Sequence, residues 1–105
     1  MEQRRHDRVR VEYSASFSGS SYRAEGTILN LSIGGCRIRT TFMVKKDDSI
    51  GVLIEIPKYD RPLYVSRAEI RWSDGQDFGM EFIQMEMEDQ QRLGETVRAI
   101  EAATG

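Results

Sequence analysis

A chain of 105 residues with 15 Lys and Arg, 17 Asp and Glu, 39% hydrophobic side chains and one cysteine has the size of a single domain, 1–105, that folds without disulfide or metal staples. One cysteine closes no intrachain disulfide and supplies no Cys-rich zinc site, so the expected compartment is the reducing cytoplasm. A net charge of −2 speaks against a general electrostatic grip on nucleic acid, and the short apolar runs speak against membrane insertion, which needs about 20 apolar residues in a row.

Residues 1–8 carry Arg4, Arg5 and Arg8 with no apolar anchor, and read as a flexible leader. From Val9 the pattern alternates: Val9, Val11, Tyr13, Ala15 and Phe17 share one face, as in a half-buried strand. Ser18–Ser21 has turn chemistry, and the extended pattern from Tyr22 to Leu31 then makes a hairpin. After a break at 30–35, Cys36, Ile38, Thr40 and Phe42 alternate with Arg37 and Arg39, which project outward. Ile50–Ile56 is a fourth strand ended by Pro57, Leu63–Trp72 a fifth, 73–77 a turn and Phe78–Ile83 a sixth.

Six short strands over 9–84 with polar connections predict a closed antiparallel β-barrel, because closure removes exposed edges. Past Met85 the period lengthens to about 3.6. Leu93, Val97 and Ile100 share one face of a C-terminal helix over 88–103, with Asp89 as the expected N-cap. Met80, Met85 and Met87 read as fillers between barrel and helix.

Catalysis finds little support. His6 is the one histidine, in a polar segment with no metal-ligand spacing around it, and Cys36 alternates with core residues, so no catalytic group, metal or cofactor is expected. Two other features carry chemistry. Arg4-Arg5-His6-Asp7-Arg8 sets two guanidiniums four positions apart, and guanidinium suits bidentate contact with phosphate and stacking on a purine. Asn30-x-Ser32-x-x-Gly35 joins two strands, with a donor and acceptor on Asn30 and a hydroxyl on Ser32. Gly34 and Gly35 there permit positive φ and close approach of a ligand to the backbone. Asn and Ser also build such turns through local side-chain bonds, which is the plainer reading.

In order and spacing the pair resembles the PilZ family of bacterial cyclic di-GMP receptors, whose signature is RxxxR followed twenty to thirty residues later by (D/N)xSxxG. Arg4 and Arg8 match the first element, and Asn30, Ser32 and Gly35 the second. Gly34-Gly35-Cys36-Arg37-Ile38, Ala68-Glu69-Ile70-Arg71-Trp72 and Phe78-Gly79-Met80-Glu81-Phe82 resemble later family strands, so the likeness covers almost the whole chain.

The resemblance implies a six-stranded barrel with a C-terminal helix that binds cyclic di-GMP on its outside. It implies that Arg4 and Arg8, with Arg5 beside them, clamp phosphates and guanine, that Asn30 and Ser32 hold the base or phosphate, and that Gly34 and Gly35 shape the turn. Arg37 and Arg39 either extend the positive surface or simply solvate a barrel face, and Trp72 either approaches a guanine or, the plainer reading, packs the barrel. The implied activity is that of a receptor whose arginine segment reorders on the ligand and signals to an unidentified protein partner. The alternatives are a degenerate relative that binds only protein, and an OB-like barrel for single-stranded nucleic acid; the acidic balance disfavours the second.

Overall fold

A computed structural model describes residues 8–104, and Arg4, Arg5 and His6 lie outside the described residues. Two-residue alternation builds β1 (Val9–Ser18), β2 (Arg23–Ser32), β3 (Gly35–Arg39), β4 (Ser49–Ile54), β5 (Leu63–Asp74) and β6 (Asp77–Gln84), and the 3.6-residue period builds α1 (Met87–Thr104). The strands close into an antiparallel barrel in the order β1-β2-β3-β6-β5-β4, with β4 returning to β1. Its interior is filled by Phe17, Ile28, Leu31, Ile38, Ile54, Leu63, Ile70 and Phe78, each at most 1% exposed, and Phe17 meets Phe78 edge-on at 5.3 Å.

Strict alternation fails at two places that matter for the outside of the barrel. In β2, Ile28 faces Ile38 but Asn30 faces Arg37, so Leu29 is an extra residue against β3. Ile28 and Leu31 can then both point inward although they are three apart, and Asn30 is turned outward. In β5, Ile70 faces Met80 while Trp72 faces Gly79, which makes Arg71 the extra residue against β6. Continued alternation would have sent Trp72 into the core after Ala68 and Ile70. The bulge instead sets it on the outside, 40% exposed, so it is not the barrel-packing side chain that the pattern predicts.

Three further expectations change in detail. Asp89 lies inside the first turn of α1 rather than capping it, because the helix begins at Met87; buried there, it pairs with Arg92. The last hairpin is tighter than 73–77: Asp74 faces Asp77 across Gly75 and Gln76, with Gly75 at φ +65°. Met80 is buried in the core and Met85 packs against it, but Met87 is 73% exposed and fills no gap.

Leu93 and Val97 join the barrel core, so α1 closes against β1, β2 and β5. The buried Arg92 fixes that closure by donating to the carbonyls of Arg61 and Pro62, each at 3.0 Å.

Candidate functional site

The two bulges place a continuous row on the outer wall. Arg10 faces Asn30, Asn30 faces Arg37, Arg37 faces Gly79 and Gly79 faces Trp72, so the row runs from β1 across β2, β3 and β6 to β5. At about 4.8 Å per strand this is roughly 19 Å of wall. Gly79 is what makes the far end flat: a Cβ there would lie 2.1 Å from Trp72 Nε1, so the indole lies against bare backbone.

Arg8 precedes β1 on the same outward side as Arg10 and donates from Nη1 to Asn30 Oδ1 at 2.8 Å. The second arginine of RxxxR therefore touches the first residue of NxSxxG, 22 positions away in sequence. This contact follows from the β1–β2 register, in which Val9 faces Leu31 and Arg10 faces Asn30.

The turn beside Asn30 is held from within. Ser32 is 2% exposed; its Oγ accepts from the N–H groups of Gly34 and Gly35 and donates to the Gly35 carbonyl, all at 3.2 Å. The hydroxyl is spent on the backbone, as in a local Ser turn. Neither Gly34 nor Gly35 sits at positive φ; among the described residues only Gly75 and Asp47 do. Gly35 is required for packing instead, since a Cβ would lie 2.2 Å from the Met80 carbonyl oxygen where β3 and β6 run together.

The wall is strongly basic. Arg8, Arg10, Arg37 and Arg39 project outward, and Asp77 answers two of them: Arg39 Nε donates to its Oδ1 at 2.8 Å and Arg37 Nη2 lies 3.0 Å from its Oδ2. The hydrogen bond from Arg39, with the charges of Arg39 and Arg37, holds the Asp77 carboxyl below the usual carboxylate range. The outward Glu81 is engaged by Arg71, which also reaches Glu69 at 3.2 Å. Beneath the row, burial pushes the Cys36 thiol up to about 12, although the nearby Arg8 charge pulls it the other way.

Phosphate can be taken by the guanidiniums, a purine edge by Asn30 and a purine face by the indole or a guanidinium. Arg8, Asn30, Ser32, Gly34, Gly35 and Arg37 come together at one corner of the barrel. Reading the sequence by alternation missed the outward Trp72 and the pairing of Asp77. A bulge leaves no mark in a single sequence beyond the odd spacing of Ile28 and Leu31. Among the described residues no group of three His, Cys, Asp or Glu is placed to hold a metal ion, and no helix is long and apolar enough to cross a membrane.

A protein-family model, PilZ domain, matches residues 2–99. A comparison with curated proteins finds no match. Among solved structures the chain is similar to the inhibitor of motility MotI/DgrA of Bacillus subtilis, with a TM-score of 0.75 and 16% identity over 94% of this chain and 52% of that one. It is similar to the PilZ domain of CeSA from a cellulose-synthesizing bacterium, with a TM-score of 0.70 and 12% identity over 94% of this chain and 99% of that one. For YcgR of Escherichia coli, solved in complex with c-di-GMP, the TM-score is 0.82 and the identity 11% over 98% of this chain and 48% of that one. The chain thus spans about half the length of MotI/DgrA and of YcgR, and at these identities the likeness is one of fold.

Proposed function

Because the chain belongs to the PilZ domain family, we propose that it is a receptor for cyclic di-GMP, which it binds on the outer row from Arg10 to Trp72 and reports to a protein partner. The observation that carries this reading is the contact of Arg8 with Asn30, which joins the two signature motifs at the basic end of that row. YcgR, a structural neighbour, was solved with the same nucleotide.

In this reading Arg8 exchanges the neutral Asn30 oxygen for a phosphate, a charge-assisted bond and therefore a stronger one. Arg4 and Arg5 bring further guanidiniums from the N-terminal side. Asn30, released from Arg8, presents its amide to a guanine edge, and Arg37 and the Trp72 indole receive charge and ring from the opposite side. Ser32, Gly34 and Gly35 act through the turn they build. A charge-assisted hydrogen bond contributes about 1.5–3 kcal/mol, and micromolar binding needs about 8 kcal/mol net, so several such contacts are required together. The closing of the arginine segment changes the charge and shape of this wall, and the partner reads that change through its different affinity for the two states.

Titration with cyclic di-GMP tests the proposal. The chain has a single tryptophan, so emission excited at the red edge of the absorption band, where its tyrosines barely absorb, reports Trp72, and calorimetry returns affinity and stoichiometry. We expect saturable binding that quenches the emission and weakens with salt. In Arg8→Ala affinity should fall by about tenfold to a hundredfold, the equivalent of one lost charge-assisted bond. A flat titration of the folded protein overturns the receptor reading in favour of a domain that binds protein only. Unchanged affinity in both Arg8→Ala and Asn30→Ala overturns the site.

A further inference from the structure

Asp77 opens β6 directly opposite Arg39, and its carboxylate serves two guanidiniums at once. Arg39 grips it twice, Nε to Oδ1 at 2.8 Å and Nη2 to Oδ2 at 3.3 Å, while Arg37 reaches Oδ2 at 3.0 Å. The two arginines are not equivalent. Arg37 stands in the outer row between Asn30 and Gly79, whereas Arg39 faces Thr27 and Asp77, two positions further along β3. Of the outward carboxylates on β6, Glu81 is engaged by Arg71, so Asp77 is the one that meets Arg37.

Resting on the receptor reading, we infer that Asp77 is a built-in competitor: it occupies Arg37 while the site is empty, yields it to a nucleotide phosphate, and so sets the affinity threshold of the receptor. Two features favour competition over support. The stem of Arg37 is enclosed, its Nε shut off from solvent with no hydrogen-bond partner, so the exchange of partners falls to the Nη end that meets Asp77. Asp77 also keeps its two-pronged hold on Arg39 when Arg37 leaves, so the exchange strands no carboxylate. A carboxylate this close lies within one Debye length of any phosphate that Arg37 binds, and repels it.

The test compares cyclic di-GMP binding by the unaltered protein and by Asp77→Asn, with Asp77→Ser as a second neutral variant, each checked for its melting transition. We expect the dissociation constant to fall about threefold to tenfold in either variant at about 50 mM salt, with the difference closing near 1 M salt, as screening demands. Equal or weaker binding by folded neutral variants overturns the inference, because a carboxylate that merely positions Arg37 can only be missed. Failure of the unaltered protein to bind overturns the receptor reading itself, and the two failures are told apart by that one titration.

Discussion

At the scale of single residues, Cys36 gives the cleanest check that the wall above it is packed as described. The side chain is fully buried between Ile28, Leu31 and the other core residues, and burial pushes its thiol up to about 12 from an ordinary 9.0. Thiolate is the reactive form, so native protein at pH 8 should be inert to iodoacetamide and become reactive only in denaturant. Rapid alkylation of native protein would show the β2–β3 corner to be open. The linkage runs the same way. The folded chain holds the thiol proton where the unfolded chain releases it, so this contribution to stability is complete below pH 9 and is lost as pH rises toward 12. The sequence disclosed Cys36 as a core residue by its alternation with Ile38. It disclosed Arg8 and Asn30 as a pair only through the order of two motifs, since nothing local connects residues 22 apart.

At the scale of elements, the site is a product of irregularity. The single extra residues at Leu29 and Arg71 rotate Asn30 and Trp72 onto one face, and two glycines let neighbours close over that face for different reasons. Gly35→Ala sets a Cβ 2.2 Å from a backbone oxygen of β6, which cannot move without opening the ladder. Overpacking of this kind costs about 1–3 kcal/mol, and a lower urea midpoint should report it. At Gly79 the three atoms nearest an added Cβ all belong to the Trp72 indole, Nε1 at 2.1 Å, so Gly79→Ala displaces a ring that is already 40% exposed rather than a strand backbone. There the expected result is a nearly unchanged midpoint with red-shifted tryptophan emission and weakened cyclic di-GMP binding. If Gly79→Ala leaves the emission unchanged, the indole does not lie where the row requires. The six strands and the helix were legible because burial enforces their periods of two and 3.6. The outward turn of Trp72 was not, because a bulge is chosen by pairing with a strand distant in sequence.

At the scale of the whole molecule, the barrel carries the proposed binding row on its outer wall and is secured by its helix. Closure leaves no free strand edge, so stability depends on filling the interior, to which α1 contributes Leu93 and Val97. The helix is held there by a polar clasp. Arg92 joins the carbonyls of Arg61 and Pro62 to the carboxylate of Asp89 and lies 5.1 Å from the centre of the Tyr59 ring, while Tyr59 donates its hydroxyl proton to Glu95 at 2.8 Å. Arg92→Ala leaves the Asp89 carboxylate, itself only 5% exposed, without its partner, and two carbonyls without their donor. Breaking one side of a buried ion pair costs about 3–5 kcal/mol, which for a domain of this size lowers the melting temperature by more than about 10 °C. The row proposed for the nucleotide uses β1, β2, β3, β6 and β5 and takes no side chain from α1. Arg92→Ala should therefore melt early yet bind cyclic di-GMP with unchanged affinity at a temperature where it is folded. A loss of affinity there would mean that the clasp and the binding wall are one cooperative unit, and that helix docking carries the signal.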